Sequence, residues 1–176
     1  MNDLRNRLRE ITENRMPDTH PGLIEGLRPE YLHSIEALPS PVPIERYTCA
    51  MYAFNLVEDE EYKSIVLASP EPVYASTRFV QRLIDRGNLE RLAEPQVGAL
   101  VAYRLDRTVT HIGRMISPDR AESKWGIGHL YRHSLLEVPS NYGDEWEFYG
   151  AVDADSALDE LADFAREHGV RFAGDA

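Results

Sequence analysis

Cysteine is almost absent from this chain, which has a single residue of this type, Cys49, among 176. A lone cysteine cannot form an intrachain disulfide bond, and it cannot supply the several sulfur ligands of a cysteine-based zinc site. The sequence therefore excludes a disulfide-stabilised scaffold. A single cysteine is most often a small buried core residue, so its surroundings decide whether a chemical role should be predicted for it.

Long apolar runs and basic charge are also scarce. No apolar stretch approaches the roughly 20 residues that a transmembrane helix needs, and residues 1–15 are charged throughout, without the apolar centre of a secretion signal. The chain carries 30 acidic against 19 basic side chains, a net charge of −11. Such a surface repels phosphate backbones and anionic lipids. We therefore expect a cytoplasmic protein that binds neither nucleic acid nor membrane, and whose acidity serves solubility or a basic partner.

Hydrophobic periodicity and turn residues place most helices before the strands. Helices are predicted over residues 3–15, 29–37, 47–56 and 77–86, with a last helix that ends before Gly169 and loops at 17–28 and 58–62. Strands are predicted over residues 98–105, 110–117, 121–126 and 145–150, with an irregular stretch between the last two. Because helices and strands are segregated along the chain, the predicted fold class is α+β, with helices packed on an antiparallel sheet.

The surroundings of Cys49 favour a chemical role. Three prolines within residues 39–43 force the chain to approach in an extended conformation, and Cys49 then stands near the start of the predicted helix 47–56. A thiol attacks as its thiolate, and a helix N-terminus lowers the thiol pKa because its unpaired N–H groups favour negative charge. This position predicts a nucleophile.

A thiol nucleophile also needs a base, and the chain has six histidines. His111 is the best placed, because it opens an apolar strand directly after a hairpin, and a strand end is a rigid place from which to present an imidazole. The alternative is a hydrogen-bonded structural histidine. His129 and His133 lie four residues apart in a loop-like stretch without a further ligand, so we predict no metal site. We predict no cofactor either.

Three short motifs follow one another in an order that resembles the NlpC/P60 family of papain-like cysteine hydrolases. They are Tyr47-Thr48-Cys49-Ala50, Gly98-Ala99-Leu100-Val101-Ala102-Tyr103 and His111-Ile112-Gly113. The resemblance covers residues 44–150 and implies a papain-like core, with Cys49 as nucleophile and His111 as base. Residues 1–43 then form an N-terminal helical and loop extension, and residues 151–176 an added C-terminal helix.

The resemblance also implies a third residue that orients the imidazole, on the strand after His111. Counting along that hairpin leads to Ser123, and Glu122 is the alternative with the stronger acceptor. Tyr47 and Trp125 are predicted to contact substrate, with aromatic core packing as the other interpretation of Trp125. Many relatives have Asp or Asn where this chain has Thr48, and the glycine-rich continuation of cell-wall members is missing, which weakens peptidoglycan as the substrate.

Together these residues predict a cysteine hydrolase that acts on an amide or isopeptide bond of a peptide or protein, as a peptidase, amidase or deamidase. The alternative is an inactive papain-like binding module that neutralises a basic protein partner. A toxin or effector with the same catalytic site is a third possibility. The sequence leaves the oligomeric state open.

Overall fold

The secondary structure follows the predicted order of helices, antiparallel strands and a final helix. The computed structural model describes residues 2–68 and 73–172. Its helices are α1 Asn2–Glu13, α2 His20–Glu25, α3 Cys49–Ala53, α4 Glu60–Ala68, α5 Thr77–Asp85 and α6 Ala154–Glu167. Its strands are β1 Glu36–Leu38, β2 Arg91–Leu92, β3 Leu100–Leu105, β4 Thr108–Ser117, β5 Arg120–Lys124, β6 Leu130–Ser134 and β7 Glu145–Tyr149. Within the described ranges, no helix combines the length and the apolar character that crossing a bilayer requires.

The strands form one sheet in the order β1-β6-β5-β4-β3-β7-β2, and every neighbouring pair is antiparallel. Strands β3 to β6 are consecutive in both chain and space, so they form an antiparallel meander. The β3–β4 turn is tight because Asp106 and Arg107 both adopt positive φ, at 50° and 68°, which matches the twist of the flanking strands. The predicted α+β class, with helices on an antiparallel sheet, is confirmed.

Alternation along β3 divides the protein interior between the two faces of the sheet. Leu100 and Ala102 point into a core that packs against α3, α4, α5 and α6. Val101 and Tyr103 point into a second core, which α1 and the α2 region cover. Burying one large apolar side chain contributes about 1.5–3 kcal/mol to the stability of the fold, so the helices on both faces stabilise the sheet. They also shield its central strands from solvent on both sides.

Three local predictions were wrong, and tertiary contacts explain them. Residues 29–37 do not form a helix: residues 36–38 are the edge strand β1, which pairs with β6 about a hundred residues later, a contact that local propensity cannot reveal. Residues 17–28 contain a one-turn 3₁₀ helix and α2 in place of the predicted loop. Residues 58–62 run into α4, whose first turn is acidic and is capped by Asp59, which accepts the Tyr62 N–H at 2.8 Å.

A buried arginine connects α1 to the loop formed by residues 138–144. Arg5 is only 4% exposed and donates to the Val138 carbonyl at 3.1 Å, to the Gly143 carbonyl and to the Asp144 carboxylate. These bonds clamp both ends of a loop whose 3₁₀ turn, residues 140–142, carries Tyr142. The N-terminal helix thus positions Tyr142 against the sheet.

Candidate active site

Cys49 is the first residue of α3, which is shorter than predicted. Thr48 precedes it in extended conformation and is the N-cap, because its hydroxyl oxygen accepts the Met51 N–H at 3.1 Å. The same hydroxyl donates to the Ala75 carbonyl at 2.6 Å. These two bonds fix the turn at which the thiol emerges, and α3 packs directly against β4, the strand of His111.

Cys49 and His111 line one cavity of about 420 Å³. Its wall is mostly aromatic, hydroxyl-bearing or charged, and consists of Ile44, Glu45, Tyr47, Thr48, Cys49, Tyr74, Ser76, Thr77, Thr110, His111, Lys124, Gly126, Ile127 and Tyr142. The predicted nucleophile, base and substrate-contacting Tyr47 are therefore brought together. The Tyr47 hydroxyl accepts a hydrogen bond from Ser40 at 2.9 Å, which holds its ring in the wall.

Cys49 is a partly buried free cysteine, and its surroundings disfavour the ionised thiol. Burial raises its pKa, while backbone interactions, chiefly with Ile112, and the positive charge of Lys124 lower it by less. Ile112 directly follows His111 in β4, so the thiol approaches the strand beside the imidazole. Ionising Cys49 therefore needs a partner that offsets the cost of burial.

His111 is 2% exposed and its ring stacks on Tyr142, with ring centroids 3.9 Å apart and planes 9° from parallel. Burial, followed by the neighbouring charges of His133 and Lys124, holds the pKa of His111 well below 6.5. Its Nε2 is enclosed and has no hydrogen-bond partner among the described residues. The imidazole is thus held by stacking, in a neutral state, without an orienting acceptor behind it.

Ser123, the predicted orienting residue, does not bond to His111. Its hydroxyl accepts the Trp125 Nε1–H at 3.0 Å and donates to His133 Nε2 at 2.8 Å. The other ring nitrogen of His133 donates to the Ser134 carbonyl at 3.0 Å, which fixes the tautomer. The alternative Glu122 accepts from Tyr52 at 2.6 Å and from Arg132. Both candidates for the third position are engaged elsewhere.

Trp125 does not wall the cavity. It is fully buried in the second core, where its ring packs on Tyr131 at a centroid distance of 4.4 Å. The predicted substrate contact through Trp125 is therefore corrected to core packing. Its neighbour Lys124 lines the cavity instead, because successive residues of a strand point to opposite faces.

Lys124 and Tyr142 are buried cavity residues that the sequence did not indicate. Lys124 is 2% exposed, and burial lowers its pKa to about 8 against the opposing effects of Cys49 and Glu45. Tyr142 sits in a short 3₁₀ turn, and burial raises the pKa of its hydroxyl. Lys124 lies between Ser123 and Trp125, the two residues for which the sequence predicted roles at the site.

We expect acid to destabilise the fold through its buried histidines. Burial lowers the pKa of His133 from 6.5 to about 4, so below pH 6.5 the unfolded chain binds a proton that the folded chain excludes. Stability should fall by about 1.5 kcal/mol from His133 alone between pH 6.5 and about pH 5, above the range in which carboxylates titrate. Urea unfolding at both pH values measures this loss. A His133→Gln variant should lose less, and an equal loss in both proteins would contradict the assignment.

No protein-family model, curated protein or solved structure matches this chain. Within the described part of the chain, no three histidine, cysteine or carboxylate side chains converge to hold a metal ion. The cavity instead brings a thiol, an imidazole and an ammonium group together. That set can form a nucleophile, move a proton and stabilise a negative charge.

Proposed function

We propose that the protein is a papain-like cysteine hydrolase of the NlpC/P60 type, acting on an amide or isopeptide bond of a peptide or protein. The observation that carries this proposal is the shared cavity of Cys49 and His111, two residues from distant parts of the chain. The packing of α3 on an antiparallel sheet, with Cys49 at the first position of the helix and His111 on the adjoining strand β4, supports a papain-like core.

The proposed reaction is acyl transfer through the thiol. His111 takes the proton of Cys49, and the sulfur adds to the substrate carbonyl carbon with its electron pair. The carbon–nitrogen bond then breaks, and the leaving amine takes the proton from His111. Water, deprotonated by His111, cleaves the thioester and restores the thiol. Release of ammonia or transfer to another amine would use the same groups.

The cavity suits a peptide-sized group. About 420 Å³ is enough for a side chain and part of its backbone, and Tyr47, Tyr74 and Tyr142 offer apolar faces with polar tips. Glu45 at the wall and the net charge of −11 favour a substrate with basic character. We propose no nucleic acid, membrane or metal partner.

A second candidate function is a papain-like binding module without turnover. Two observations favour it: the enclosed Nε2 of His111 has no partner among the described residues, and burial disfavours the ionised thiol. Under this proposal the acidic surface captures a basic protein, such as a toxin. The complex would then survive Cys49→Ser unchanged, whereas a hydrolase would lose its effect with that substitution.

The test is labelling by a peptidyl acyloxymethyl ketone, an electrophile that resembles an amide substrate. We expect Cys49 to be labelled at least about tenfold faster than cysteine in solution at pH 7, because the cavity aligns the ketone with the thiol. Cys49→Ser should abolish labelling, since the chain has one cysteine. Labelling no faster than that of cysteine in solution would reject the hydrolase.

A further inference from the structure

Lys124 is a buried cation that has no role in the proposed acyl transfer by Cys49 and His111. Lysine is almost never fully buried unless it is paired, yet Lys124 is 2% exposed at the end of β5. Its ammonium donates to the Gly126 carbonyl at 2.6 Å and lies 5.1 Å from the centre of the Tyr47 ring. It forms no ion pair with a carboxylate of the described residues. A carbonyl and an aromatic face compensate such a charge only in part.

The position of Lys124 follows from strand alternation. Ser123 points into the second core, where it bonds to His133, so the next side chain points to the opposite face. That face carries α3, and Lys124 shares the cavity wall with Cys49. The partly compensated cation and the thiol lie on the same side of the sheet, and their charges interact.

We propose that Lys124 is the counter-ion of the Cys49 thiolate, and that His111 carries a proton only in passing. When the thiol ionises, the S–H bond breaks with both electrons left on sulfur. His111 takes the proton, which reaches solvent in the free protein and the leaving amine during turnover, and Lys124 remains an ammonium at neutral pH, without forming a bond. This inference deepens the proposed function and rests on it for its chemistry, but thiol ionisation can be measured without turnover.

The charges around the cavity favour this assignment over an imidazolium counter-ion. Burying a single charge is costly, whereas two opposite charges buried together compensate each other. Lys124 is mostly protonated at neutral pH, because burial lowers its pKa only to about 8. A standing positive charge on His111 is disfavoured, because burial, His133 and Lys124 all lower its pKa. At neutral pH the ammonium is thus the cation available to a thiolate that forms in the cavity.

Other titratable groups that face the pair do not replace Lys124. Glu45 lines the wall and acts on Lys124, favouring its charged form. Tyr47 and Tyr142 have raised pKa values because of burial and stay neutral, and Tyr74 also lines the cavity. Of the groups that line the cavity in the described chain, Lys124 alone is positively charged at neutral pH.

The test is the pH dependence of Cys49 ionisation, followed by thiolate absorbance in the ultraviolet, with Cys49→Ser as the blank. The single cysteine makes the signal unambiguous. Lys124→Met should raise the midpoint by at least about one pH unit, and the iodoacetamide rate at pH 7 should fall roughly threefold or more, since higher nucleophilicity offsets part of the lost thiolate. Met is apolar and of similar length, so the fold should persist.

Two matched variants separate charge from shape. Lys124→Arg keeps the charge and should keep the midpoint within about 0.3 pH unit, and His111→Gln should move it by less than half as much as Lys124→Met. If Lys124→Met fails to unfold cooperatively in urea, Lys124→Gln takes its place. An unmoved midpoint in the neutral variant, or an equal shift in His111→Gln, overturns the proposal. Failed ketone labelling with a shifted midpoint would reject the hydrolase and leave the ion pair standing.

Discussion

Gly143→Ala is expected to destabilise the fold by at least about 4 kcal/mol, because two independent costs coincide at this position. Gly143 has φ 93° and ψ 171°, a region that side chains other than glycine's rarely adopt. A Cβ added there would also overlap the Arg104 carbonyl oxygen and approach the Leu105 nitrogen. Both contacts are to backbone, which cannot rotate away. Urea unfolding monitored by circular dichroism measures the loss.

Gly87→Ala is the matched control for this prediction. Gly87 also has positive φ, at 72°, but a Cβ there would meet nothing within 4 Å. Its alanine variant should therefore lose only the about 1–2 kcal/mol of left-handed backbone strain. The excess loss in Gly143→Ala reports the backbone overlap. A difference below about 1 kcal/mol between the two variants would mean that the loop relaxes around the new methyl group.

A substitution at Gly143 should also disturb the cavity, through the neighbouring residue Tyr142. Tyr142 stacks on His111, and the Tyr142 carbonyl accepts the Thr110 hydroxyl at 2.5 Å. Arg5 holds the Gly143 carbonyl from the other side. Since the imidazole has no hydrogen-bonded support at Nε2 in the described structure, this stack is its main restraint. A shift of the loop would therefore misplace the imidazole even in molecules that remain folded.

The parts of the fold that could be predicted are those set by local pattern. Alternation and turn residues located β3, β4, β5 and β7, and the helix predicted over residues 77–86 is α5, whose N-cap Ser76 accepts the Phe79 N–H. Elements that depend on distant partners were missed. The edge strand β1 exists because β6 pairs with it, and the proline-containing α2 packs its Ile24 into the second core. Such contacts leave little trace in a local window.

The residues of the candidate site also divide into those with a local sequence signal and those whose position depends on tertiary structure. Cys49 and His111 each had a local signal, a helix start and a strand start, and the structure places both at one cavity. Ser123 was reached by counting along a hairpin, but the face of a strand residue depends on register. The register sends Ser123 to His133 and Lys124 to the cavity. A step of one residue therefore separates the predicted orienting group from the cation that faces the thiol.

His111→Gln is expected to reduce turnover of p-nitrophenyl acetate by about 10²–10⁴-fold while sparing the first release of nitrophenolate. Nitrophenolate needs no proton to leave, so acylation of Cys49 depends on thiolate alone. Water must be deprotonated to cleave the thioester, and His111 is the base in reach of the cavity. We therefore expect a burst of one equivalent followed by a nearly flat phase, with Cys49→Ser giving neither.

His133→Gln is the control that separates chemistry from fold. Both histidines are buried, at 2% and 0% exposure, and both lie on the same sheet, but only His111 lines the cavity. Gln can replace the two hydrogen bonds of His133, so that variant should keep its steady rate within about threefold and lose about 1–2 kcal/mol of stability at most. Equal loss of the steady phase in both variants would assign the effect to packing. Loss of the burst in His111→Gln would instead mean that thiol ionisation depends on the His111 imidazole and not on Lys124.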